Sequence, residues 1–193
     1  MKSRYFIYFL LLSFFVGTSY AAIKNKPIVC TQEYVLCTSA PCVPDPRHPD
    51  YAICSCVVET GDSVGYTSCE KRTAKQGQFK TKQVTSTFSF KQFNTKKGMN
   101  CARGKPWTNC LDAPCTVNPM DSTKAICSCK ILHDQAFFTF GGGCDLDTCA
   151  TGFWSGATKT SGNALRKSLF KQLNITKNPW PNNSCSSDKT KNK

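Results

Sequence analysis

The sequence predicts a small α+β fold, mainly β and rich in disulfides, built as two tandem cysteine-rich repeats, each trailing a basic tail that is helical in the second copy. Three observations lead there. The pentapeptide Ala52-Ile53-Cys54-Ser55-Cys56 recurs as Ala125-Ile126-Cys127-Ser128-Cys129, an offset of 73 residues (127 minus 54). All 14 cysteines follow an amino-terminal stretch with the composition of an export signal. The 25 basic residues outnumber the 12 acidic ones and concentrate outside the cysteine-rich stretches.

Residues 1–21 read as a signal peptide. Lys2 and Arg4 make a basic start, Tyr5 to Val16 an apolar run, and Ser19-Tyr20-Ala21 a small-residue cleavage site. An uncleaved membrane anchor is the alternative, but a run of about a dozen residues falls short of the roughly 20 that span a bilayer, and no later segment reads as transmembrane. Cleavage after Ala21 would leave 172 residues (193 minus 21), with 23 basic residues against 12 acidic and a formal charge of +11. The expected destination is secreted or periplasmic.

The first module, within residues 22–100, carries Cys30, Cys37, Cys42, Cys54, Cys56 and Cys69. The second, within 101–185, carries Cys101, Cys110, Cys115, Cys127, Cys129 and Cys144, followed by the unmatched Cys149 and Cys185. In an oxidising compartment an even cysteine count reads as a disulfide framework. Zinc is the rival, since the spacers Cys37 to Cys42 and Cys110 to Cys115 fall in its range, yet an oxidising compartment favours bridges, so no metal is expected. On a strand Cys54 and Cys56 project from one face. A bridge between them would be strained, so each must reach a different partner. Cys149 and Cys185 most simply pair with each other. Cys101 stays open between opening its own module and closing the first tail.

Along each module, Ala40-Pro41-Cys42 matches Ala113-Pro114-Cys115, and the proline-bearing loops Val43 to Asp50 and Thr116 to Thr123 read as irregular surface chain. The double-cysteine strand continues into Val57-Val58 or Ile131-Leu132 and then turns at glycine. Phe137 to Phe140 read as a strand ended by three glycines. In the second tail Leu165, Leu169 and Leu173 recur at helical spacing opposite Arg166, Lys167 and Lys171, which predicts a helix of about 12 residues capped by Ser161. The first tail is ambiguous: Val84, Ser86, Phe88 and Phe90 alternate as a strand, while Phe90 and Phe93 suit a helix. Residues 186–193 are polar and basic and read as a disordered tail.

From Lys71 to Lys105 ten basic residues occur with no acidic one. The candidate anion-binding residues are Lys80, Lys82, Lys91, Lys96, Lys97, Arg166, Lys167 and Lys171. Concentrated positive charge attracts polyanions with a strength that falls as salt rises. The partners expected are an anionic glycan, a lipid head group or nucleic acid, for which Phe79, Phe88, Phe90 and Phe93 could serve as stacking platforms. A protein target, met by the proline-bearing loops, is the alternative. The two histidines, His48 and His133, occupy different places in the two copies, and neither a nucleophile elbow nor a C-x-x-C redox pair occurs. The expectation is a binding protein with no cofactor and no catalytic residues; a periplasmic enzyme with an unrecognised site is the remaining option.

Overall fold

The computed structural model describes residues 26–95, 97–101, 103–104, 106–141, 153–172, 174 and 184–186. The order is β1 (Ile28–Leu36), β2 (Pro41–Asp45), β3 (His48–Gly65), α1 (Cys69–Arg72), β4 (Lys75–Gln76), a 3-10 turn (Gln78–Lys80), β5 (Lys82–Ser89), α2 (Phe90–Thr95), β6 (Lys97–Cys101), β7 (Trp107–Asn109), β8 (Pro114–Asn118), β9 (Asp121–Leu132), β10 (Phe137–Gly141), β11 (Phe153–Thr158), α3 (Lys159–Gln172) and β12 (Ser184–Ser186). The molecule is mainly β and disulfide-rich. The expected signal peptide, Cys144, Cys149 and residues 187–193 lie outside the described residues, whereas Ser186, expected to begin the disordered tail, ends β12.

The two copies of the repeated pentapeptide form its centre, because they pair with each other. β3 and β9 run antiparallel with Cys54 opposite Cys127, Ser55 opposite Ile126 and Ile53 opposite Ser128. At the offset of 73, Cys54 faces its own counterpart, Ser55 faces the counterpart of Ile53, and Ile53 faces the counterpart of Ser55. A local two-fold axis therefore passes between Cys54 and Cys127, as in a self-complementary dimer interface.

Two rings of strands share this pair. One runs β1, β3, β9, β8 and β5, closing through the parallel pairing of Val35 with Ser86. The other runs β2, β3, β9, β7 and β11, closing where Phe153 pairs with Cys42 and Ser155 with Thr108. Each ring takes strands from both sides of residue 101, so neither half of the chain closes one alone. At each point of closure the strands have a neighbour on both sides, which shortens their free edges.

Both rings close over the face of β3 and β9 that carries the cysteines. Along β9 the alternation is strict, with Ala125, Cys127, Cys129 and Ile131 buried and Lys124, Ile126, Ser128 and Lys130 exposed. The interior is filled by Cys37, Cys54, Cys56, Cys110, Cys115, Cys127 and Cys129 together with Val35, Val84 and Val117. Small barrels have room inside only for side chains, and here sulfur replaces much of the hydrocarbon.

The bridges follow the expected rule. Cys56 joins Cys37 and Cys54 joins Cys42; in the second half Cys129 joins Cys110 and Cys127 joins Cys115, with the same separations of 19 and 12 residues. Cys30 pairs with Cys69, and Cys101 is disulfide-bonded. The expected pairing of Cys149 with Cys185 involves Cys149, which lies outside the described residues.

Several sequence expectations need correction. The loops Val43 to Asp50 and Thr116 to Thr123 are hairpins, β2 to β3 and β8 to β9, with two-residue turns at Pro46-Arg47 and Pro119-Met120. Proline is tolerated because Pro44 sits at a register shift next to Asp45, beyond the reach of β11, where no partner needs its missing N–H. β3 passes through Gly61 without turning and ends at Gly65. The first tail is both candidates in succession: a strand to Ser89, then a helix from Phe90.

α3 starts two residues before Ser161, and its cap is Thr158, whose hydroxyl accepts the Ser161 N–H at 3.1 Å. The buried side of α3 places Leu165 against Val64, Phe88, Phe140 and Ala157. β11 approaches β10 closely at Gly156, where a Cβ would lie 2.5 Å from the Phe138 carbonyl oxygen.

Candidate functional site

Two tight turns join the strands around the barrel, and the same backbone builds both. In the first, Ser39 takes a left-handed conformation (φ 66°) and Ala40 N–H donates to Cys37 O; in the second, Asp112 does so (φ 60°) and Ala113 N–H donates to Cys110 O. Ser39 and Asp112 are 73 residues apart (112 minus 39). Their side chains have diverged. The Ser39 hydroxyl meets the backbone of Phe140, whereas the Asp112 carboxylate accepts N–H groups from Tyr66 at 2.8 Å and Thr67 at 3.3 Å.

Asp112 forms part of a cleft of about 190 Å³, whose other walls include Thr67, Lys71, Thr73, Lys75, Gln83 and Thr85. A second, more open cleft of about 600 Å³ adjoins it through Thr67 and Lys71 and adds Lys26 and Tyr66. The groove collects residues from the chain leading into β1, from the end of β3 through α1 to β4, from β5, and from the turn before β8.

Charge in this groove is unequally committed. Asp112 is held by two backbone N–H groups. Arg72, only 1 % exposed, donates from Nε to Thr67 O at 2.6 Å and from Nη2 to Ile28 O at 2.7 Å, while Nη1 is buried without a partner among the described residues. Burial disfavours its charged form, and the nearby Asp112 carboxylate opposes that effect. Arg72 thus puts a fixed cation beneath Thr67, the residue shared by both clefts. Lys26, Lys71 and Lys75 have no ion-pair partner among the described residues. Burial raises the Tyr66 phenol, with a Ser161 hydrogen bond working the other way, so it stays neutral and presents an uncharged ring to the groove.

Compared with protein-family models, curated proteins and solved structures, the chain matches none. The chemistry of the groove therefore stands on its own residues.

The structure divides the sequence-derived basic candidates into two groups. Lys80 and Lys82 flank the start of β5; Lys91 is on α2, and Arg166, Lys167 and Lys171 are on α3, beyond the other end of β5. Eight residues of strand, about 26 Å, separate them. Lys82 is committed, donating to Glu33 at 2.7 Å. Lys80, Lys91, Lys167 and Lys171 are exposed, and Arg166 is half-buried. Lys96 and the side chain of Lys97 lie outside the described residues.

Of the proposed aromatic platforms, Phe88 belongs to the interior and Phe90 packs against it, whereas Phe79 is 95 % exposed; the side chain of Phe93 is not among those described. Lys71 and Lys75 were visible in the basic run, but Lys26 carried no signal. What selects these three from the other lysines is the return of β5 and β8 beside α1, which is a tertiary fact.

The sulfur-filled interior is the other cluster with ligand potential. The Sγ atoms of Cys37, Cys54, Cys110 and Cys129 lie within 4.8 Å of one another. Each is in a disulfide, so none is the thiolate that binds a metal. Near the β2 turn, His48 Nδ1 lies 3.0 Å from Asp45, whose carboxylate also accepts the Arg47 N–H. That arrangement shapes the hairpin, and it places no nucleophile beside the imidazole.

Proposed function

We propose that this is an exported, disulfide-held, non-enzymatic binding protein with a duplicated cysteine module, and that its basic segments engage an anionic surface or polymer through the groove of Lys26, Lys71 and Lys75. The single observation that carries the reading is that groove: three lysines without acidic partners among the described residues, set over a buried arginine, with the one carboxylate held by backbone N–H groups. Hydroxyls of Thr67 and Thr85 supply neutral donors around the charges, while the Thr73 hydroxyl donates to Cys69 O at 3.2 Å. Five described disulfides fit an oxidising, secreted or periplasmic setting. Among the described residues no helix is long and apolar enough to cross a membrane.

The test is retention on a sulfated-polymer resin, with the native protein beside Lys71→Gln/Lys75→Gln. Retention should fall steadily with added salt, and the double variant should elute earlier. Retention that ignores salt, or a variant that elutes with the native protein, removes the proposal.

A second reading, a protein target met by the proline-bearing hairpins, is favoured by Val43 and Tyr51, which are 62 % and 41 % exposed on β2 and β3. A Val43→Ser/Tyr51→Ser variant that still captures the same protein from the native milieu would exclude it.

A further inference from the structure

We infer that the anion is carried on a lipid bilayer: Phe79 and Met120, at two neighbouring loop tips, insert among the head groups of an anionic membrane while Lys71 and Lys75 meet their phosphates. The inference rests on the anion-binding reading above and adds to it the surface that carries the charge.

Phe79 and Met120 are 95 % and 92 % exposed, the two most solvent-facing large apolar side chains among the described residues. Phe79 sits in the turn between β4 and β5, Met120 in the turn between β8 and β9. β5 and β8 pair antiparallel with Gln83 opposite Thr116. The chain entering β5 and the chain leaving β8 are therefore at the same end of the sheet, and both apolar tips project from that end.

Neither tip is loose chain. Phe79 and Lys80 both adopt left-handed backbone (φ 54° and 59°), a conformation that a bulky side chain adopts only when its surroundings impose it. The turn is closed by Gly77 N–H donating to Thr81 O at 2.7 Å and by the Thr81 hydroxyl donating to Gln78 O at 2.7 Å. Met120 is presented by an Asn118 side chain that accepts its N–H at 2.9 Å. Its counterpart 73 residues earlier, Arg47, sits on the same kind of turn, with Asp45 accepting the N–H at 2.9 Å. The two turns share their construction and differ in what they carry, so the apolar tip belongs to one end only.

Charge at that end favours an anionic partner. Lys75, paired opposite Gln83, and Lys80 are exposed at that end, Lys71 is exposed further along the same cleft toward Asp112, and none of the three has an ion-pair partner among the described residues. Of the carboxylates close by, Glu33 is paired with Lys82, and Asp121 accepts the Thr123 N–H and hydroxyl. A dissolved polyanion would satisfy the lysines and leave Phe79 and Met120 in water. A bilayer satisfies both, because its boundary region accepts apolar side chains beside phosphates and yields to convex tips.

The experiment uses the oxidised full chain with vesicles of phosphatidylcholine, pure or containing roughly one third phosphatidylglycerol. The native protein should sediment with the anionic vesicles and not with pure phosphatidylcholine. A Phe79→Trp variant should shift its emission to the blue on binding and be quenched by brominated acyl chains. Phe79→Ser/Met120→Ser should bind these vesicles at least about ten-fold more weakly, with an unchanged thermal midpoint and unchanged retention on sulfated polymer. Lys71→Gln/Lys75→Gln should weaken vesicle binding by about thirty-fold.

Emission that does not move when the vesicles are bound, or a Phe79→Ser/Met120→Ser variant that binds like the native protein, overturns the lipid inference and leaves the groove reading standing. So does finding that the apolar pair instead controls self-association or binding to a single-stranded oligonucleotide. Lysine substitutions without effect on either vesicles or sulfated polymer overturn the parent reading.

Discussion

Removing one short bridge from each half tests the local two-fold axis quantitatively. Cys42–Cys54 and Cys115–Cys127 each close a separation of 12 residues. The chain-entropy relation assigns such a cross-link about 2.8 kcal/mol at 25 °C, against about 3.9 kcal/mol for the separation of 39 residues closed by Cys30–Cys69. The first figure is an upper value, since Cys42–Cys54 is nested inside Cys37–Cys56, and Cys115–Cys127 inside Cys110–Cys129. An unfolded chain lacking the inner bridge would still be constrained by the outer one.

Cys42→Ala/Cys54→Ala and Cys115→Ala/Cys127→Ala should therefore cost nearly the same, about 2–3 kcal/mol each. The second should cost slightly more, because Cys115 is buried where Cys42 is half-buried, and its loss opens more unfilled space. Urea unfolding without reductant, followed by circular dichroism, measures both; the slope m must be fitted separately for each variant because fewer cross-links let the unfolded chain expand. A difference above about 1.5 kcal/mol between the two variants, or a cost below about 1 kcal/mol for both, would refute the idea that equivalent bridges in equivalent rings hold the barrel.

Three further outcomes follow from single contacts. Gly156→Ala should destabilise by about 1–3 kcal/mol in the same assay, since its Cβ would meet the Phe138 carbonyl oxygen at 2.5 Å and neither backbone can move aside within a paired sheet. Thr158→Ala should cost about 1 kcal/mol by removing the acceptor for the Ser161 N–H, while Ser161→Gly, which keeps the N–H, tests whether capping resides at Thr158 as assigned. Acid should destabilise the protein through its hairpin turns. Asp45 is held below its ordinary range by the His48 side chain and the Arg47 N–H, and Asp121 by the Thr123 hydroxyl and N–H. A lowered folded-state pKa gives stability that is complete above the unfolded value and is lost as pH falls through the folded one, so the thermal midpoint should drop below about pH 4. Asp45→Asn/Asp121→Asn should flatten that drop.

Much of the covalent plan was legible before the fold was known. A period-two strand with a cysteine at each end of Cys54-Ser55-Cys56 dictates two different partners, and Cys42 and Cys37 are those partners. The aromatic and β-branched residues of Phe137 to Phe140 and the helical spacing around Leu165 likewise located β10 and α3. The hairpin at Val43 to Asp50 was missed because proline content argues against a strand, although a proline beside a bulge leaves no hydrogen bond unmade. Thr158 was missed as the cap because nothing local marks a helix start two residues earlier than Ser161. The groove was the least legible feature. Lys71 and Lys75 acquire a common role with Lys26 only when the turn at Asp112, 41 residues beyond Lys71 (112 minus 71), is folded back beside them.

The sequence by itself determined the periodicities, the cysteine count and spacing, the repeat and the charge balance, because these depend on the order of residues and on local geometry. Only the tertiary structure decided that the two repeated strands pair with each other about Cys54 and Cys127, that each ring borrows strands from both halves, and which lysines gather in one groove. Those outcomes depend on which distant surfaces bury each other, and the burial of disulfides inside a closed barrel is a property of the assembled sheet that no single segment encodes.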